Sequence, residues 1–335
     1  MIPFKLQRPV YNTKVLVGKF MTKILITGAG GFVGTHLIRS LLTDNQNEIF
    51  AAVYKSTSDI TTLIPQDHIK EGDLTNYSFA QELIKSTSPD IIYHLAALSV
   101  VHNSVERATA VINGNTTISY NLLESTRLFA PQARFLAICS ANVYGLVNPN
   151  ELPIKETSPF RPLNPYAVSK VAQEMLALQF YLAHGLDVVI LRPFNHTGTG
   201  QTTDFVIPAL AKQFVQVERG IDSCVKVGNC DTTRDFTDVS DMVSAYMLAA
   251  KFGKSGEVYN IGSGIGYTVQ QILDIFGSFL SHPVTIELDE NRVRSSDVPV
   301  LIADASKFRA LTHWEPKIKL EHTLRDVYNY WKEQT

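Results

Sequence analysis

The chain has 335 residues, 45% of them hydrophobic, enough for a large core and for two domains or one domain with a lobe. A formal net charge of -2 gives no basic surface for nucleic acid or an anionic membrane, and no apolar run reaches the roughly 18 residues of a membrane helix. Three cysteines without metal spacing and nine histidines without a ligand cluster predict reduced cytoplasmic thiols and no metal.

Residues 1–20 precede Met21 and read as an N-terminal extension without chemistry. Their longest apolar run, Val15-Leu16-Val17, is too short for a signal-peptide core. Ile24-Leu25-Ile26 then predicts a strand. It runs into Thr27-Gly28-Ala29-Gly30-Gly31-Phe32-Val33-Gly34 and a helical pattern carrying Leu37, Ile38, Leu41 and Leu42. Strand, glycine turn and helix in that order predict a dinucleotide site. Gly28 permits the tight turn, Gly31 lets backbone N–H groups approach a pyrophosphate, and Gly34 lets helix and sheet pack closely. The helix N-terminus turns its partial positive charge on the anion.

Glu48–Val53 predicts the second strand. NAD sites of this kind end that strand with an acid on the adenine ribose, whereas here Val53-Tyr54-Lys55-Ser56 has none. A 2′-phosphate is tolerated and Lys55 can pair with it, which favours NADP(H). An NAD(H) site lacking its usual acid, with Lys55 merely solvated, is the alternative. Ile69–Leu74 predicts a third strand whose end places Asp73 and Leu74 at the adenine. A helix over Tyr77–Ser88 and a strand over Ile91–Ala97 follow. The small Ala96 and Ala97 at that strand's end admit a cofactor, and His94 inside it reads as a satisfied core histidine. A helix from about Thr116 to Phe129, a strand over Phe135–Ser140, a loop over Asn148–Asn164, a helix over Tyr166–Ala183 and a strand over Val188–Leu191 complete the pattern. Continuous apolar strands alternating with helices predict an α/β fold with a doubly wound parallel Rossmann sheet.

The last third is less regular. Helices are expected over Ile207–Gln216, Val239–Lys251, Val269–Leu280 and Leu320–Trp331, with short strands at Val225–Val227 and Val258–Ile261. The expected organisation is a dinucleotide-binding domain over 21–193. Residues 194–335 form mostly a smaller C-terminal α/β substrate lobe, with some segments returning to the first domain.

Ser140 at a strand end, with Tyr166 and Lys170 in Tyr166-Ala167-Val168-Ser169-Lys170, forms the catalytic candidate. The spacing puts Tyr166 and Lys170 a turn apart on one helix face. A nearby ammonium lowers a phenol's pKa from near 10, making Tyr166 a general acid or base. Ser140 can hydrogen-bond a substrate carbonyl oxygen.

The chain resembles the extended short-chain dehydrogenase/reductase family, of the NAD-dependent epimerase/dehydratase type, over about residues 21 to 333. The resemblance rests on the glycine turn, His94-Leu95-Ala96-Ala97, Ser140 with Val143-Tyr144-Gly145, Tyr166 with Lys170, and Arg192-Pro193-Phe194-Asn195. It implies that Lys170 also binds the nicotinamide ribose and that Asn115 helps place the active-site residues. It further implies that Phe32, Val33, Tyr166 and Arg192 join the cofactor site. The C-terminal half most resembles the GDP-4-keto-6-deoxy-D-mannose reductases, through Arg192–Gly198, Gly228-Asn229, Arg234–Val239 and Asp297–Ile302. Thr199, where proline is common, and residues 1–20 depart from that pattern. The resemblance implies reduction of a GDP-linked 4-keto-6-deoxyhexose, with Asn142, Asn195, Val206, Arg234, Arg294 and Asp297 on the substrate. Arginine forks suit a diphosphate, and Arg234 and Arg294 lie in loop-like stretches. A homodimer is implied. A nucleotide-sugar 4-epimerase, a 4,6-dehydratase holding NAD, and an inactive NADP-sensing regulator remain the alternatives; the intact Ser140, Tyr166 and Lys170 argue against the last.

Overall fold

The computed structural model describes residues 21–55, 58–99, 107–290 and 298–335. The first half alternates strands and helices: β1 (Thr22–Thr27), α1 (Phe32–Leu41), β2 (Asn47–Val53), β3 (Ile69–Glu71), α2 (Tyr77–Thr87), β4 (Ile91–His94), α3 (Ala108–Phe129), β5 (Arg134–Ile138), α4 (Pro165–His184) and β6 (Val188–Pro193). The second half continues with β7 (Asn195–Thr197), α5 (Val206–Glu218), β8 (Cys224–Val227), β9 (Thr233–Asp238), α6 (Val239–Phe252) and β10 (Val258–Ile261). It ends with β11 (Gly266–Thr268), α7 (Val269–Gly277), β12 (Thr285–Leu288), β13 (Val300–Leu301), α8 (Ser306–Thr312) and α9 (Leu320–Gln334).

Seven strands pair in parallel in the order β10-β6-β5-β4-β1-β2-β3. Successive side chains point to opposite faces, so an apolar run feeds two cores. Ile24, Ile26, Val189 and Leu191 face a cluster completed by α1, α6 and Phe308 of α8. Leu25, Val188 and Ile190 face a second cluster under α2, α3 and α4. This is the doubly wound Rossmann sheet expected from sequence. Its order reverses between β1 and β4, where such sheets open a crevice at their carboxyl ends.

A third core joins α5, α7 and α9 to β8 and Phe236 of β9. There β9 pairs with β7, β11 and β13, and β8 with β12. The chain after Pro193 crosses back: α6 and α8 cover the main sheet and β10 is its seventh strand. Several boundaries differ from expectation: β3 ends at Glu71 rather than Leu74 and α7 at Gly277 rather than Leu280, while α9 runs on to Gln334. β4 stops at His94 and β5 at Ile138, so Ala96, Ala97 and Ser140 lie just beyond their strands, and α3 starts at Ala108. The polar, glycine-containing stretch before Thr116 hid that start. Among the described residues no helix is long and apolar enough to cross a membrane, and no cluster of His, Cys, Asp or Glu could hold a metal ion.

Candidate active site

Gly28 has a φ of +68°, and a Cβ there would lie 2.8 Å from the Ala96 nitrogen. A Cβ on Gly34 would lie 2.6 Å from the carbonyl oxygens of both Gly28 and Ala29. These two glycines therefore press the turn against the residues after β4 and press α1 against the turn. Gly31 caps α1 without a side-chain hydrogen bond, and the helix has no acid in its first turn. The first-turn amides, on Phe32, Val33 and Gly34, suit an external anion. The cradle fits a dinucleotide pyrophosphate.

Polar side chains carry this turn across to α4. The Thr27 hydroxyl accepts from Ala96 N at 3.2 Å and meets His94 Nδ1 at 3.0 Å. His94 Nε2 meets Ser119 Oγ at 3.0 Å, and Ser119 donates to the Asn115 carbonyl at 2.8 Å. Burial first, and the charge of Lys170 second, push His94 down to about 3. It is neutral and fully partnered, the core histidine the sequence suggested. The Asn115 side chain accepts from Leu98 N at 2.7 Å and donates to Ser169 Oγ at 2.9 Å. Ser169 donates to the Tyr166 carbonyl at 2.7 Å. Asn115 thus ties the loop after β4 to the first turns of α4.

α4 starts where it does because Asn164 accepts from Ala167 N at 2.8 Å and Pro165 takes the first helical position. Tyr166 follows at once. Its hydroxyl lies close to the side chain of Ser140, which caps the short helix Ala141–Tyr144 by accepting from Asn142 N at 3.2 Å. Lys170 Nζ lies 5.8 Å from the Tyr166 ring centroid and donates to Ile138 O and Gln173 Oε1, each at 2.8 Å. Two expectations need correction. The phenol of Tyr166 is not lowered: burial pushes it up to about 12, outweighing the lowering effect of the nearby Ser140 hydroxyl. Arg192 is not free for a cofactor. Its side chain is 4% exposed and donates to both Glu174 oxygens, to the Tyr144 hydroxyl at 2.7 Å and to the Glu156 carbonyl at 2.9 Å.

At the far end of the crevice Val53 packs into the core and is 3% exposed. Tyr54 and Lys55 are therefore the side chains at the end of β2. Lys55 is exposed, with Nζ 5.0 Å from the Tyr54 ring centroid. Asp73 is exposed, its Oδ1 accepting from Thr75 N at 2.9 Å and Thr75 Oγ1 at 2.8 Å. Leu74 is buried beneath α2 and α3, which leaves it little surface for an adenine. Ala96 and Ala97 are part-exposed beside the glycine turn.

Of the substrate candidates, Asn195, Val206 and Arg234 lie on the second lobe. Asn195 starts β7, in register with Phe236, two residues from Arg234 on β9. Arg234 donates to the Thr233 carbonyl at 3.0 Å. Val206 is exposed at the first position of α5, and Asn142 is part-exposed beside Ser140. Arg294 and Asp297 lie outside the described residues. Sequence reasoning missed Asp235. Its carboxylate, fully buried, accepts from Ser263 N, Gly264 N and Ala303 N at 2.9, 2.8 and 3.1 Å. It pins the loop after β10 beneath Arg234's strand. Nothing local to Arg234-Asp235-Phe236 signals those distant partners. Gln173 was also missed, although its position three residues after Lys170 on one helix face was readable.

A Rossmann sheet with a glycine cradle and a Ser140–Tyr166–Lys170 cluster at its carboxyl edge defines an NAD(P)-dependent oxidoreductase of the short-chain dehydrogenase/reductase class. The chain belongs to the GDP-mannose 4,6 dehydratase family, whose model matches residues 25–327. It is 32% identical to the GDP-6-deoxy-D-mannose reductase of Pseudomonas aeruginosa over 311 residues, covering 92% of this chain and 97% of the relative. It is 34% identical to the GDP-6-deoxy-D-talose 4-dehydrogenase of Aggregatibacter actinomycetemcomitans over 287 residues, covering 85% and 89%. Among solved structures, RMD from Pseudomonas aeruginosa complexed with NADPH superposes with a TM-score of 0.82 at 29% identity, covering 94% of this chain and 100% of that one.

Proposed function

We propose that this protein reduces the C4 keto group of a GDP-linked 4-keto-6-deoxyhexose with NADPH, giving a GDP-6-deoxyhexose of the GDP-rhamnose type. NADPH supplies the hydride. Tyr166 delivers the proton to the C4 oxygen, and its raised pKa keeps that proton in place at neutral pH. Ser140 hydrogen-bonds the same oxygen as charge develops there. Lys170 holds the nicotinamide ribose and faces the phenolate left behind. Asn142, Asn195, Val206 and Arg234, with Arg294 and Asp297, form the sugar-nucleotide side, the arginines on the diphosphate.

The observation that carries this reading is the pair of residues directly after Ser140. Carbonyl reduction needs one hydride and one proton. A 4,6-dehydratase must also move a proton at C5 and expel the C6 hydroxyl, which calls for an acid beside the catalytic serine. Here Ala141 and Asn142 occupy those places, and neither titrates. An epimerase or dehydratase returns its hydride and keeps NAD; a reductase exchanges its cofactor every turnover. The purified protein is therefore expected to release no tightly held NAD on denaturation and to bind NADPH reversibly. One equivalent of retained NAD would favour the epimerase reading instead.

The NADPH preference rests on Tyr54 and Lys55 standing where an acid would repel a 2′-phosphate. Lys55→Glu is expected to raise the KM for NADPH at least about tenfold, the worth of one charge-assisted bond, and to spare the KM for NADH. Equal loss with both cofactors would remove Lys55 from the phosphate.

The three cysteines are unpaired, which suits the cytoplasm. The exposed Tyr120 and Leu128 on α3 and Met175 and Leu182 on α4 suit burial against a second copy in a homodimer.

A further inference from the structure

We infer that Gln173 is a positioning residue for the reaction: its neutral amide aims the Lys170 ammonium and sets the pH at which that ammonium is lost. The inference rests on the reading of Lys170 as a catalytic residue.

Lys170 is 3% exposed and Gln173 is 1% exposed, so neither can turn to water. The ammonium donates to Gln173 Oε1 and Ile138 O, each at 2.8 Å, and Gln173 Nε2 donates to the same Ile138 oxygen at 3.3 Å. The amide therefore has one stable orientation. Flipping it would set its NH2 group against the ammonium. Two of three ammonium protons are held, which leaves one for a further acceptor.

The charges around this triangle are otherwise committed. Glu174, on the next position of α4, gives both oxygens to Arg192 of β6. From β4 comes His94, held neutral; from just beyond β5 comes Cys139, whose thiol burial pushes far up. Tyr166 lies on the same helix, and Tyr246 of α6, fully buried, has its phenol pushed far up by burial. Among the described residues no carboxylate hydrogen-bonds or salt-bridges Lys170. Burial accordingly lowers Lys170 to about 8. A neutral acceptor steadies a buried cation without pinning it charged, whereas a carboxylate at the same atom would raise its pKa by about 1–3 units. Gln173 thus leaves Lys170 poised to lose its proton just above neutrality.

The test compares wild type, Gln173→Glu and Gln173→Met between about pH 6 and 10. Two quantities are followed: NADPH affinity by fluorescence titration, and kcat/KM with the 4-keto sugar. In wild type both should fall as pH rises past about 8. Gln173→Glu should move that midpoint up by at least about one unit and Gln173→Met should move it down. A role confined to packing would change stability or kcat at every pH and leave the midpoint alone. Unmoved midpoints in variants that fold and bind NADPH at pH 7 would overturn the inference. Should Gln173→Met fail to fold, the direction of the Gln173→Glu shift decides it. Shifted NADPH midpoints in a protein that turns over no 4-keto sugar would uphold Gln173 and sink the reductase reading.

Discussion

Tyr166→Phe should lower kcat by about 10²–10⁴-fold, the usual contribution of a positioned general acid, while NADPH affinity stays within about twofold. The substitution keeps the ring and the helix start fixed by Asn164 and Pro165, and removes only the hydroxyl. That hydroxyl lies close to Ser140, and burial pushes its pKa up to about 12. It is therefore a proton donor across the neutral range. Loss of activity on the alkaline side should follow Lys170, which titrates lower, at about 8. Steady-state NADPH oxidation between pH 6 and 9 measures both effects. Turnover near wild type in the phenylalanine variant would take the proton from elsewhere.

Arg192→Met should cost about 3–5 kcal/mol of stability, because it strands the Glu174 carboxylate in the core. Both partners are 4% exposed. Arg192 also holds the Tyr144 hydroxyl, which donates to Asn260 Oδ1 at 2.6 Å. Asn260 in turn donates to the Ile154 carbonyl at 2.9 Å. One guanidinium thus ties α4, the short helix after Ser140, the 149–164 loop and β10 together. The double variant Glu174→Leu with Arg192→Met should recover much of the loss, since no charge then stays unpaired. Arg192→Lys should not, since an ammonium lacks the planar fork that engages both oxygens. Urea unfolding measures all three. A single-variant cost below about 1 kcal/mol would mean that water reaches Glu174.

The periodicity of the first half made most of the sheet legible. Ile24-Leu25-Ile26 and Val188–Leu191 are apolar without a break because both faces of each strand are covered. The second lobe was harder. β9 reads Thr233-Arg234-Asp235-Phe236-Thr237-Asp238, and its polar residues are stabilised by partners far along the chain, such as Thr323 donating to Asp238 at 2.7 Å. β13, of only two residues, and β12, whose four residues are all exposed, carry too little apolar pattern to see. At the site, Ser140, Tyr166, Lys170 and the glycines were readable because local spacing fixes them. Arg192 misled because its partner Glu174 sits on another element, and an unpaired arginine in a sequence looks available. Tyr166 misled for a related reason. The neighbouring lysine is visible in sequence, but the burial that outweighs it is not.

The most direct test offers the purified protein two substrates with NADPH present, GDP-mannose alone and the GDP-4-keto-6-deoxy sugar made from it by a separate dehydratase, and identifies products by NMR. NADPH should be oxidised only with the keto sugar, one equivalent per GDP-6-deoxyhexose formed, with no change in GDP-mannose under NAD or NADP. A 4-keto sugar formed from GDP-mannose by this protein alone would contradict the account. It would mean that an acid reaches C5 despite Ala141 and Asn142.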